Sequence, residues 1–201
     1  MEILIIRHGQ SEADVLNVHE GRADYPLTDL GREQAKKLGQ YLNEYCPPDL
    51  IWSSTLKRAS ETAQIIATEV SCMMKYEKNL MEFHNGVLAG LPREVAATRY
   101  PIPPSGRKPH ERIEGGESEI EFRMRCEQVL SKILTESYAV ARIAIVSHGG
   151  TISNILKSIL QLPVKSNVSF HTGDTGVHLV KIEGDKVAVK KLNYLEHLQR
   201  T

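Results

Sequence analysis

The sequence predicts an α/β protein, a three-layer sandwich in which helices cover both faces of a mostly parallel central sheet. Three short apolar runs, Ile3 to Ile6, Leu50 to Ser53 and Ile143 to Val146, have the continuous hydrophobicity of strands buried on both faces. Each is followed by a stretch with helical spacing of apolar positions. Strands alternating with helices imply right-handed crossovers, and hence parallel neighbours.

The elements follow in order. After the first strand and a polar loop, Leu27 to Glu33 opens a helix carrying Ala35, Leu38, Leu42 and Tyr45, which Cys46-Pro47-Pro48 ends. After the second strand, Ser54 and Thr55 are placed to cap a helix with Ala59, Thr62, Ala63, Ile66 and Ala67 on one face, and Arg58 falls in its first turns. Prolines 92, 101, 103, 104 and 109 interrupt residues 85–116, leaving room for a short helix at 93–99 in an excursion over the strand ends. Helical spacing resumes between Ser118 and Tyr138 through Ile120, Met124, Val129 and Ile133. Thr151 is placed to cap a helix running to Leu160, and Val177 to Ile182 with Val187 to Val189 form a hairpin around Glu183-Gly184-Asp185, adding antiparallel edges.

Composition narrows the function. At 201 residues the chain fits one domain spanning 1–201, with the excursion at about 85–116 as a small cap. The 25 basic residues balance 25 acidic ones, and no basic stripe stands out, so neither nucleic acid nor a membrane surface is an expected partner. Cys46, Cys72 and Cys126 form no paired motif and suit free thiols in a reducing compartment. The first apolar run is four residues long, too short for a signal-peptide core or a membrane span, so the expected location is cytoplasmic. No heptad seam appears, and a monomer or homodimer is expected.

Arg7-His8, Arg58 and His148 each come just after a predicted strand. The carboxyl ends of strands form the ligand crevice of open α/β sheets. Two arginines and two histidines converging there make a cationic pocket, and guanidinium groups match phosphate oxygens in a bidentate way.

Arg7-His8-Gly9-Gln10-Ser11-Glu12 resembles the Arg-His-Gly signature of the histidine phosphatase superfamily, the phosphoglycerate-mutase-like fold, in its small phosphatase branch. Further blocks resemble that family in the same order: Leu27-Thr28-Asp29-Leu30-Gly31, Ser53 to Ala63, Gly115-Gly116-Glu117-Ser118, and Val146-Ser147-His148-Gly149-Gly150. The resemblance implies a phosphatase acting on a small phosphomonoester, with His8 as nucleophile and a phosphohistidine intermediate. It implies Arg7, Arg58 and His148 as the phosphate pocket, Ser11 as a further donor, and Glu82 as the proton donor. It implies neither a metal nor a cofactor.

Asp14 departs from the family pattern, in which asparagine is common at this position; an ionised carboxylate there would repel phosphate. His84, His110 and His171 match no family position, although the segment holding His171 is free to approach the pocket. Arg93, Arg99, Arg107, Lys108 and Arg112 crowd the excursion as candidate leaving-group contacts or as solvated loop residues. The resemblance leaves two other functions: a cofactor-dependent phosphoglycerate mutase, for which the cap region is short, and a non-catalytic module that binds a phosphorylated ligand.

Overall fold

Parallel pairing of two distant strands determines where this chain's histidines meet. The computed structural model of the protein describes residues 1–199. Its strands are β1 (Glu2–Arg7), β2 (Leu50–Ser53), β3 (Met73–Tyr76), β4 (Arg142–Ser147), β5 (Val177–Glu183) and β6 (Lys186–Tyr194). Its α-helices are α1 (Glu12–Leu16), α2 (Asp29–Tyr45), α3 (Lys57–Val70), α4 (Arg93–Arg99), α5 (Glu119–Glu136) and α6 (Gly149–Ile159). The strands form one sheet in the order β3-β2-β4-β1-β5-β6. The first four in that order run parallel, and β5 and β6 join as the antiparallel hairpin expected of the tail.

Alternation along the strands explains the three layers. Ile3 and Ile5 of β1, Trp52 of β2, and Ile143 and Ile145 of β4 face α5 and α6, packing on Phe122, Cys126, Val129, Ile133, Ile152 and Ile155. Leu4, Ile6, Ile51, Ala144 and Val146 point the opposite way, onto Leu38 and Leu42 of α2 and Ala59, Ala63 and Ile66 of α3. Side chains alternate between faces, so a strand that is apolar at every position needs a helical layer on each side. Each fully buried Ile or Leu contributes about 1.5–3 kcal/mol through that burial.

Several local expectations are corrected. The polar loop after β1 contains α1, a single turn whose N-cap Ser11 and Asp14 form a reciprocal capping box. Strand β3 was not foreseen; it is mostly exposed and carries little apolar signal. On α5 the buried face is Phe122, Cys126, Val129, Leu130 and Ile133, whereas Ile120 and Met124 are exposed at 41% and 56%. That helix carries two apolar stripes, and spacing alone does not say which one meets the sheet. Thr151 lies inside α6, whose N-cap is His148, and its hydroxyl donates to the Met81 carbonyl at 2.9 Å. The N-cap of α3 is Leu56, which has no side-chain cap bond; Ser54 instead accepts from the Leu56 N–H through its hydroxyl oxygen at 3.3 Å.

Residues 85–116 hold a short 3-10 helix at Gly86–Leu88, helix α4 and a small apolar cluster of Leu88, Ala96 and Ile113, set apart from the two faces of the sheet. No helix among the described residues is long and apolar enough to cross a membrane.

Candidate active site

Register places Arg7 beside Ser147 and Ser53 beside Val146, so the residues immediately beyond them, His8, His148 and Ser54, emerge together at the carboxyl end of the sheet. Backbone hydrogen bonds carry the pairing one step further, from His8 N–H to the Ser147 carbonyl and from Ser54 N–H to the Val146 carbonyl, each at 3.0 Å. Gly9 is needed at the next position, because a Cβ there would stand 2.4 Å from the carbonyl oxygen of Gly31 in α2. Its N–H donates to Thr62 Oγ1 of α3 at 3.1 Å, which ties the histidine turn to that helix.

Arg58 is fully buried, and His8 and His148 are each 1% exposed. The Arg58 guanidinium donates to the carbonyls of Ala23 and Gly21 at 2.9 and 2.8 Å, while its Nε points at His8 Nε2 at 3.3 Å. On the other side of the imidazole, His8 Nδ1 lies 2.8 Å from the Gly9 carbonyl. A carbonyl only accepts, so the ring proton sits on Nδ1 and Nε2 carries the lone pair that meets Arg58. Burial, then Arg58 and Arg7, hold the His8 pKa well below the ordinary histidine value. Burial, then Arg58 and His8, do the same to His148. His148 Nε2 is 2.8 Å from Ser54 Oγ, and its Nδ1 has no hydrogen-bond partner among the described residues.

Arg7 is fixed from the loop before β5, donating to the Thr172 carbonyl at 2.9 Å and pairing with Asp174 at 3.3 Å and Asp14 at 3.5 Å. Glu82 reaches the start of α6: its carboxylate accepts from the N–H groups of Gly150 and Phe83, both at 2.8 Å. The main chain around Glu82 is held by Arg125 of α5, which donates to the carbonyls of Asn79, Met81 and Glu82 and forks onto Glu117. Arg7 and Glu82 line one cavity of about 340 Å³, together with Asp14, Glu20, Asn85 and Arg93.

A model of the histidine phosphatase superfamily (branch 1) matches residues 3–195. The chain belongs to that superfamily. It is 30% identical to phosphoglycerate mutase-like protein 4 of Arabidopsis thaliana over 205 residues, covering 100% of this chain and 88% of that one. It is 29% identical to a broad-specificity phosphatase of Saccharomyces cerevisiae, over 98% of this chain and 87% of that one. Among solved structures, the α-ribazole phosphatase of Shigella flexneri superposes with a TM-score of 0.87 at 26% identity, covering 96% of each chain. The mixed sheet flanked by helices is thus the phosphoglycerate-mutase-like fold.

In this histidine phosphatase fold, His8, His148, Arg58 and Ser54 converge directly. Arg7 joins them from the last position of β1, and Glu82 from the irregular segment that follows β3. Ser11 is buried, and its hydroxyl faces two carboxylates, Asp14 at 2.9 Å and Glu20. Asp14 accepts from the Ser11 N–H at 2.8 Å, so the departure from the family pattern is used as a helix cap. Of the five basic residues of the excursion, Arg93 lines the cavity, while Arg112 pairs with Glu121 on α5. His171 is exposed, and its neighbour Thr172 is the one that reaches Arg7. Among the described residues no group of three or more His, Cys, Asp or Glu side chains is arranged to hold a metal ion.

Glu20, Asp174 and Arg125 were not singled out from sequence. Glu20 lies 3.6 Å from Arg58 Nε and 3.9 Å from His8 Nε2. It sits in an irregular stretch with no periodicity to flag it.

Proposed function

We propose that the chain hydrolyses a small phosphomonoester through a phosphohistidine on His8, without a metal. The observation that carries this reading is the pair of contacts on the His8 ring: Nδ1 donates a hydrogen bond to the Gly9 carbonyl, and the unprotonated Nε2 accepts from Arg58 Nε. An imidazole kept neutral by burial and cations is a nucleophile at neutral pH.

In the first step His8 Nε2 forms a bond to phosphorus as the ester P–O bond breaks, and the departing alkoxide takes a proton from Glu82. In the second, a water gives a proton to Glu82 and attacks phosphorus; orthophosphate leaves and His8 is restored. The two N–H donors at Glu82 support the carboxylate formed between these steps. Arg7 and Arg58 would balance charge on the transferring phosphoryl oxygens. His148 would use the ring nitrogen that has no partner among the described residues, with its other nitrogen bonded to Ser54. Residues 85–116 would act as the cap that selects the leaving group, with Arg93 reaching the cavity.

The test compares wild type with His8→Ala on p-nitrophenyl phosphate in buffer containing EDTA. The expected result is turnover by wild type, an acid-labile phosphoprotein on rapid quenching, and a loss of at least about a thousandfold in the variant. Equal rates for the two proteins would overturn the assignment. Rapid isomerisation of 3-phosphoglycerate in the presence of 2,3-bisphosphoglycerate, with little phosphate released, would replace it with a mutase.

A further inference from the structure

Glu20 stands between the cavity and the buried ends of His8 and Arg58. Its side chain is 18% exposed and lines the cavity, whereas His8 and Arg58 are sealed behind it. Its backbone is pinned from both sides. The His19 N–H donates to the Leu91 carbonyl and the Gly90 N–H to the His19 carbonyl, while the carbonyls of Gly21 and Ala23 are held by Arg58. Only the side chain is left free to give way.

The hydrogen bonds at Ser11 count protons. Its oxygen accepts from the Asp14 N–H and faces one carboxylate oxygen of Asp14 and one of Glu20. A hydroxyl has one proton to give. All contacts are satisfied together when Ser11 donates to Asp14 and Glu20 donates its own proton to Ser11.

We propose that Glu20 is a specificity-determining residue for the phosphoryl group, held as the neutral acid, so that a phosphate dianion binds with Glu20 protonated and is repelled when Glu20 is ionised. This rests on the reading of the pocket as a phosphate site. The groups facing Glu20 are Arg58 from α3, Arg7 and His8 from the end of β1, and Ser11 and Asp14 from α1 and its cap. Glu82 and Arg93 share its cavity. Burial raises the Glu20 pKa and Asp14 adds to the rise, while Arg58 and Arg7 oppose it; a Ser11 hydroxyl that gave its proton to Glu20 rather than to Asp14 would oppose it too, and the balance is upward even so. A dianion in the pocket adds to the rise, so phosphate and proton bind together.

Glu20→Gln fixes the neutral state in nearly the same shape. The experiment measures orthophosphate affinity by calorimetry for wild type and Glu20→Gln between pH 5 and pH 8. Taking the ratio of the two proteins at each pH removes phosphate's own titration. The ratio of variant to wild-type affinity is expected to rise from pH 5 to pH 8 and to reach about tenfold or more at pH 8. Wild type should also take up more protons on binding at pH 8, seen as a buffer-dependent heat. A ratio that stays at one across the range, or a variant that binds more weakly throughout, would overturn the proposal. If Glu20→Gln does not fold, Glu20→Ala also removes the charge and must show the same tightening at pH 8. Hydrolysis of p-nitrophenyl phosphate is read separately. Wild type that binds phosphate with the expected pH ratio but does not turn over defeats the phosphatase and not Glu20, whereas turnover with a flat ratio defeats Glu20 alone.

Discussion

His8 and His148 face each other with ring centroids 5.1 Å apart and planes inclined at 57°, although 140 positions separate them in the chain. Parallel pairing of β1 with β4 puts them there, and Arg58 makes a shared positive charge expensive. One nitrogen of each ring is committed to the protein, His8 Nδ1 to Gly9 and His148 Nε2 to Ser54. Of the remaining two nitrogens, His8 Nε2 accepts from Arg58 Nε and lies behind Glu20, whereas His148 Nδ1 has no hydrogen-bond partner among the described residues.

The pH profile follows from this pair. Burial, Arg58 and Arg7 hold the folded pKa of His8 well below 6.5, so the imidazole of the proposed nucleophile stays neutral as pH falls past that value. The acid limb of kcat/KM that belongs to the free enzyme is therefore expected below pH 6.5, once the substrate's own ionisation is divided out. Arg58→Met removes the second-largest cause of the depression. It should move that limb upward and lower kcat/KM by about a hundredfold or more, because a donor to the developing charge is also lost. An unchanged limb in the variant would show that Arg58 does not set the His8 protonation state.

Gly150 keeps room for Glu82. A Cβ at this position would stand 2.6 Å from Glu82 Oε1, the end of a side chain that can swing aside. Gly150→Ala is thus expected to cost less than about 1 kcal/mol of stability while moving the Glu82 carboxyl, the proposed proton donor, out of line. The decisive comparison is between substrates. An alkyl phosphate, whose leaving group needs a proton, should lose about tenfold or more in kcat, and p-nitrophenyl phosphate, whose leaving group needs none, much less. Equal losses on both would separate Glu82 from proton donation.

Asp14 accepts from both the N–H and the hydroxyl of Ser11 and pairs with Arg7. Asp14→Asn keeps one acceptor for the cap and removes the charge beside Arg7. Loss of part of the capping box should cost about 0.5–1 kcal/mol, visible as a melting temperature lower by about 1–4 °C. Arg7, freed from one carboxylate, should bind orthophosphate several-fold more tightly; weaker binding in the variant would contradict the idea that Asp14 opposes the anion.

What could be read from sequence followed continuous signals. Ile3–Ile6 and Ile143–Val146 are apolar at every position, which only a doubly covered strand explains, and those strands deliver His8 and His148. Arg58 was visible because it lies on the second residue of a helix that follows such a strand. Glu20 was hidden, since its place depends on contacts of its flanking backbone to Leu91, Gly90 and Arg58, made across 35 to 72 positions of chain, and no local pattern encodes them. Arg125 looked like any charged residue of an amphipathic helix; its role comes from three carbonyls that only the folded 79–82 segment supplies.

Two other buried histidines connect acid stability to the site. His178 accepts from the Asn193 N–H at Nδ1 and lies 2.9 Å from Thr172 Oγ1 through Nε2, and His197 Nε2 lies 2.8 Å from Thr175 Oγ1. These contacts brace the loop whose Thr172 carbonyl holds Arg7 and whose Thr175 N–H donates to the His8 carbonyl. Burial lowers both pKa values to about 4. The unfolded chain titrates near 6.5, so below that pH it binds protons that the folded protein refuses. Stability is full above about pH 6.5 and falls as pH drops toward about 4, where the folded histidines begin to protonate and the loss levels off. His178→Gln preserves a neutral donor and acceptor at every pH. Its melting temperature should therefore fall less between pH 7 and pH 4 than that of wild type, by about 3 °C or more. Parallel acid curves for the two proteins would show that His178 is not among the groups that drive the loss.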